Sequence, residues 1–348
     1  MGILSSKSLI ARRFGRTVRI IGPRVESRIE GDDKKAKLAH FFYMSALSPF
    51  SPLPKTPAPA GASVETILSV RRPATQTVAL VVSSPHSGTN YPNDFVRDSL
   101  LDPLSLRRSE DSFVDDLVSA APDFGAPLLK ALFPRVYIDV NRAPYAPDPK
   151  MFGEPLPDFV NAASARVAAG YGTIARMVAT GAEIYRAPLT FAEAEDRVRR
   201  LYRPYHAALD GLVNDTLSRF RRVLLLDCHS MPSVGSSVEK DAGRMRADVI
   251  LGDCHGTSCE RSLTAEVAAF FTREGFRVVL NEPFAGGFIT RHHGRPRQGR
   301  HALQIELNRA LYMNETRLER SAEFYAIKAA MTRLLAWIGP VATQLPGA

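Results

Sequence analysis

The chain has 348 residues, 45% apolar and 23% charged, a globular composition long enough to bury a large core without disulfides. Its three cysteines (Cys228, Cys254, Cys259) are too few and too clustered for a disulfide framework and point to a reducing, cytoplasmic compartment, while no apolar run reaches the ~18 to 20 residues of a membrane span. The net charge of +9 does not demand a nucleic-acid face, because residues 1–43 hold ten Lys or Arg against four acids and the other 305 residues carry only +3.

The N-terminal basic arm has no acid before Glu26. Three readings of it stand. Its Arg-rich, acid-poor composition suits a targeting or surface-binding arm. The opening Met1-Gly2-Ile3-Leu4-Ser5-Ser6 fits the loose myristoylation pattern. The third is an extension without a role, or an over-called start with Met44 as the alternative initiator. Residues 45–62 follow with five prolines and little that packs, which reads as a disordered linker. Residues 1–75 are therefore assigned to arm and linker, and 76–348 to a single catalytic domain.

From Gln76 onward, short Val/Ile/Leu-rich runs predict strands at 77–82, 135–140, 223–227, 248–251, 277–280 and 302–307. Helical patterns lie between and after them at 110–121, 160–180, 191–220, 262–274 and 316–338. This alternation predicts an α/β layered fold, a mixed or mostly parallel sheet flanked by helices.

Polar residues cluster just after the predicted strands, where open α/β sheets place ligands. The first strand runs into Ser83-Ser84-Pro85-His86-Ser87-Gly88, the second ends in Asn141-Arg142, and the third in Cys228-His229-Ser230. The last carries Glu306 near its end, and Ser109-Glu110-Asp111 opens a helix. Two histidines and a carboxylate are a known ligand set for catalytic zinc, which brings the pKa of its water to roughly 7. A nearby glutamate relays the proton, and arginine forks hold carboxylates. Together these describe hydrolysis of an amide next to a carboxylate. Spacing alone supports this weakly: no compact motif such as H-E-x-x-H is present, and a helix-start Asp is usually a cap. The glycines at 286 and 287 match no phosphate-binding pattern.

Several further blocks stand in a definite order along the chain. They are Ser84-Pro85-His86-Ser87-Gly88, Asp111, Tyr137-Ile138-Asp139-Val140-Asn141-Arg142, and Tyr202-Arg203-Pro204-Tyr205-His206. Then come Leu226-Asp227-Cys228-His229-Ser230, the run 248–259, Gly286-Gly287-Phe288-Ile289-Thr290-Arg291-His292, and Gln304-Ile305-Glu306-Leu307. In their order and number these blocks resemble the N-formylglutamate amidohydrolase (N-formylglutamate deformylase) family, and the resemblance covers residues 83 to about 315. It implies a zinc-carboxypeptidase-like fold and hydrolysis of N-formyl-L-glutamate to formate and L-glutamate, a late step of histidine breakdown. It implies one Zn2+ per chain held by His86, Asp111 and His229, with Glu110 the rival middle ligand, and Glu306 as general base. Asn141 and Arg142 would clamp one substrate carboxylate and Arg291 the other.

The chain departs from the family at Ser112, where a tryptophan is common, and at Phe288, where a tyrosine is. These departures bear on the acyl group and the amino acid more than on hydrolysis. A second reading is a hydrolase of another small N-acyl amino acid or peptide amide. A third is a non-catalytic protein acting through its basic arm. Among the remaining residues, Asp227 is expected to orient His229, Asp139 or Asp148 to be the ion-pair alternative for Arg142, and His206 to pack. Cys228 is expected to pack, His292 and His293 to point different ways, and His255 and His301 to lie at the surface. The expected partner is a small N-acyl amino acid; no nucleic acid or membrane span is expected, and the oligomeric state is left open.

Overall fold

A computed structural model describes residues 67–236, 239–345 and 347; the basic arm and most of the linker lie outside the described residues. Seven strands form one sheet: β1 (Leu68–Arg71), β2 (Leu80–Ser84), β3 (Leu128–Ala131), β4 (Val223–Met231), β5 (Val249–Gly252), β6 (Val278–Leu280) and β7 (Arg300–Asn308). Their order is β1-β3-β2-β4-β7-β5-β6. The pairs β3/β2, β2/β4, β4/β7 and β5/β6 are parallel, whereas β1/β3 and β7/β5 are antiparallel. The fold is thus the expected α/β architecture with a mixed, mostly parallel sheet.

Strand side chains alternate between faces, and the two longest strands show what each face does. Leu224, Leu226 and Cys228 of β4, with Leu303, Ile305 and Leu307 of β7, bury into one core. That core is covered by α4 (Arg261–Arg273) and α6 (Phe324–Gln344). The other face receives Val223 and Leu225 of β4 and Ala302 of β7, packed on Tyr205, Leu209, Leu212 and Val213 of α3 (Arg203–Phe220). The period of two then puts Asp227, His229, Gln304 and Glu306 on this α3 face. The parallel register sets Asp227 beside Gln304 and His229 beside Glu306.

A continuous helical run precedes and includes α3. The helix α2 (Phe191–Arg197) starts at Thr190, whose side chain and that of Glu193 cap each other's backbone N–H. It passes through a π-helical turn, Val198–Tyr202, into α3, and ends at Arg221 with φ 63°. Among the described residues no helix is long and apolar enough to cross a membrane.

Several expected elements differ. The run 135–140 is no strand: after Pro134 the chain folds back on itself, with Tyr137 N–H donating to Pro134 O and Arg142 N–H to Asp139 O. Val136, Ile138 and Val140 are buried among α3 side chains, and such an apolar run has the same pattern as a buried strand. The helix expected at 160–180 shrinks to one turn at Ala165–Ala168, because Gly170 takes φ +87° and the chain reverses. That at 110–121 shrinks to α1 (Val114–Leu117), entered through Phe113 at φ 67°. That at 316–338 starts only at Phe324, after a two-residue ladder of Met313–Asn314 on Glu319–Arg320. Strands β1 and β3 went unread, and β1 lies ahead of Gln76, so the sheet takes in residues assigned to the linker. Strand β4 runs on through His229 to Met231, and Glu306 lies two residues from the end of β7, as expected.

Leu226 is fully buried beneath the polar face of β4. Leu226→Ala is expected to cost about 2–5 kcal/mol in urea unfolding, with the m-value unchanged.

Candidate functional site

The C-terminal end of β2 delivers His86 one residue after Pro85, and β4 delivers His229 on its α3 face. Asp111 comes from the loop ahead of α1, its backbone N–H donating to His86 O at 3.1 Å. The three side chains meet. Asp111 Oδ2 lies 3.2 Å from His86 Nδ1 and 3.1 Å from His229 Nδ1, and the two Nδ1 atoms are 3.1 Å apart. All three residues are at most 2% exposed.

The far side of each imidazole explains the near side. His86 Nε2 donates to Asp139 Oδ1 at 2.8 Å, and His229 Nε2 donates to Asp227 Oδ2 at 2.8 Å. A carboxylate only accepts, so each Nε2 points its proton outward, and Nδ1 is the atom each ring presents to the cluster. Asp111 is likewise divided: Oδ1 is held by Arg135 at 3.3 Å and Arg309 at 3.1 Å, which leaves Oδ2 facing the histidines. Three acceptors facing one another in a dry site call for a cation between them. The titration of the chain itself shows the same demand. Burial pushes the His229 pKa down, but Asp227 and the hydrogen bonds to Asp111 and Asp227 outweigh it and hold it well above the ordinary value. Burial also pushes Asp111 up, yet Arg135 and the two histidines hold it well below the usual carboxylate range. The donor set, two imidazoles and one carboxylate with carboxylates behind both rings, fits a divalent transition metal.

Glu110, the rival ligand, turns away: its carboxylate accepts from Arg107, Tyr91 and Ser112. Ser112 thereby spends its hydroxyl outside the cluster. Glu306 stands beside His229 on the neighbouring strand, and Gln304 Nε2 donates to its Oε1 at 2.9 Å. Burial raises the Glu306 pKa to about 7, with Asp111 adding to the rise and His229, Arg135 and Arg309 opposing it.

The expected clamp residues lie alongside. Asn141 is pinned: its backbone N–H donates to Asp139 Oδ1, its Oδ1 accepts from Ile289 N–H at 2.8 Å, and its Nδ2 lies 3.3 Å from His229 Nε2. It rests on Gly287, where a Cβ would come 2.2 Å from the Asn141 amide, so only glycine fits this approach. Arg142 donates to Tyr171 O through Nε and to Asn141 O through a terminal nitrogen. Its own carbonyl is held by the Tyr202 hydroxyl at 2.8 Å, from the π-helical turn. Arg291 is exposed on the short helix α5 (Phe288–His293) and donates to Gly286 O. Burial lowers the Arg142 pKa to about 10, Asp139 opposes, and Arg166, Arg135 and Arg291 add to the fall. That mutual repulsion marks a positive wall next to the cluster.

Asp227 orients His229 as expected, Cys228 packs in the core, and His206 donates to Val140 O among Tyr202, Tyr205 and Phe288. His301 is a correction: it is 1% exposed rather than superficial, because β7 is central in the sheet. Arg135, Arg309 and the bond from His86 to Asp139 escaped sequence reasoning. The signal available was Asp139 itself, a charged residue in an apolar run two positions before Asn141.

A family model described as N-formylglutamate amidohydrolase matches residues 78–313. An N-formylglutamate deformylase of Pseudomonas putida is 30% identical over 268 residues, covering 74% of this chain and 92% of the relative. One of Pseudomonas aeruginosa is 30% identical over 256 residues, covering 72% and 87%. The crystal structure of N-formylglutamate amidohydrolase from Ralstonia eutropha superposes with a TM-score of 0.73 at 38% identity, over 80% of this chain and 98% of that one.

Two outcomes are expected. Asp139→Asn should weaken zinc binding by roughly 10–100-fold in a competition titration, since a partner behind a ligating His sets its orientation and basicity. In chelator-treated protein, Glu306→Gln should stabilise the fold increasingly as pH rises from about 4.5 to 7. The raised pKa means the native state favours protonated Glu306, so wild type loses stability on the order of 3 kcal/mol across that window and the amide does not. Thermal melts of both proteins at several pH values check this.

Proposed function

The chain belongs to the N-formylglutamate amidohydrolase family, and on that footing we propose that it hydrolyses N-formyl-L-glutamate to formate and L-glutamate at a zinc ion held by His86, Asp111 and His229. The observation that carries the reading is the convergence of His86 Nδ1, His229 Nδ1 and Asp111 Oδ2, backed by Asp139 and Asp227, one strand away from Glu306.

When bound, zinc supplies a Lewis acid for the formyl carbonyl and a water with its pKa brought to roughly 7. The rest is done by the chain. Glu306 takes the proton from the attacking water on its carboxylate and delivers it to the leaving amino nitrogen. A buried carboxylate with a pKa near 7 both accepts and releases a proton at neutral pH at little cost. Gln304 orients Glu306 by donating to Oε1. Asp139 and Asp227 hold the two imidazoles in the ligating tautomer. Arg135, braced between Asp111 and Asp139, keeps positive charge where the carbonyl oxygen becomes negative. Arg142 and Arg291 supply charge for the two substrate carboxylates, and the pinned Asn141 sets where the first of them lies.

The expected domain, 76–348 together with β1, holds every residue this chemistry uses. The deciding assay is formate release from N-formyl-L-glutamate, with and without chelator, and metal counted on the same sample. About one zinc per chain in this cluster and chelator-sensitive release are expected; release unaffected by chelation removes the metal from the reading. Glu306→Gln should keep that zinc and lose about 10²–10⁴-fold in kcat. Arg291→Ala should raise KM for N-formyl-glutamate while leaving N-formyl-alanine unchanged; an unchanged preference would remove Arg291 from the side-chain carboxylate.

A further inference from the structure

A second group of ligand-bearing side chains lies at the far end of α5. Asp210 projects from α3, and His292 and His293 close the last turn of α5. The two histidines, although adjacent, converge: Asp210 Oδ1 lies 3.8 Å from His292 Nε2 and 3.8 Å from His293 Nδ1. One ligand atom from each residue fits within 4.8 Å of the others.

Asp210 pairs with both histidines, and its 3.8 Å separation from each also matches the spacing of two ligands on one ion. Two ligands of one zinc ion sit roughly 3.3 Å apart at the tetrahedral angle and no more than roughly 4.2 Å apart at all. His293 is 2% exposed, and its Nε2 is buried without a hydrogen-bond partner. A buried imidazole whose Nδ1 faces a carboxylate oxygen 3.8 Å away is placed to share an ion with it. The surroundings favour order as well. Phe288 stacks on His292 at 5.3 Å and meets His206 edge-on at 5.4 Å, and His206 lies one turn before Asp210 on the same face of α3.

We propose that Asp210, His292 and His293 form a second transition-metal site, chemically suited to zinc, which ties α3 to α5. The site is independent of the His86 cluster in its ligands but not in its reach. Helix α5 begins at Gly287, on Asn141, and His206 donates to Val140 O next to Asn141. An ion here would stiffen the wall that carries Asn141 and Arg291.

The test is equilibrium dialysis of the full-length protein at micromolar zinc, with metal counted per chain by mass spectrometry. Wild type should bind one equivalent more than Asp210→Asn and one more than His292→Ala, whatever the His86 cluster contributes. Equal zinc in wild type and both variants overturns the site. Titration of His86→Ala with Co2+ asks the same question without disturbing α3 or α5. Visible absorption of a low-symmetry cobalt site at one equivalent, lost on adding Asp210→Asn, is expected; no cobalt bound by His86→Ala overturns the proposal.

Discussion

Three electron-rich atoms, one each from His86, Asp111 and His229, are held within 3.2 Å of one another where water does not reach, and much of the surrounding structure makes that tolerable. An isolated buried ion costs several kcal/mol even after the protein relaxes. Here Asp111, Asp139, Asp227 and Glu306 share one buried neighbourhood. Arg135 spans Asp111 and Asp139, and Arg309 reaches Asp111 from the opposite side of the site. The arginines thus decide which oxygen of Asp111 is left over, and the carboxylates behind the rings decide which nitrogens are. The convergence of three donor atoms is a result of this division, not three residues that happen to be near.

Sheet geometry does the rest. A parallel ladder between β4 and β7 fixes His229 beside Glu306 and Asp227 beside Gln304. A slip of one residue would send all four into the apolar core with Leu226 and Ile305. The same leucines and isoleucines that anchor the sheet on α4 and α6 therefore set the distance between His229 and Glu306. Stability and chemistry share one register, and neither is adjustable without the other.

Much of this was legible in the amino-acid sequence because polar residues in Val/Ile/Leu runs are conspicuous. His229 and Glu306 stand out against apolar neighbours and the period of two tells which face they share, while His86 is marked by its place just after a strand. Asp111 came from resemblance as much as from pattern, and its distinction from Glu110 rests on which carboxylate Arg107 and Tyr91 occupy, a three-dimensional fact. The segment 135–140 was misread as a strand because a doubly buried turn and a buried strand have the same apolar content. That misreading hid Arg135 and the bond from His86 to Asp139, since side chains on a turn point in directions no period predicts. The helix expected over 160–180 failed through local chemistry: glycines allowed the chain to reverse more cheaply than to continue.

The close seat of Asn141 on Gly287 has an evolutionary edge. A single methyl group at position 287 would have to displace the amide that lies against His229, so this contact offers no graded route to change. Variation in what the scaffold accepts has to come from side chains that project past the contact, such as Arg291, or that back it, such as Phe288. The glycine is thus a fixed point of the wall, and room for change in this site is confined to its rim.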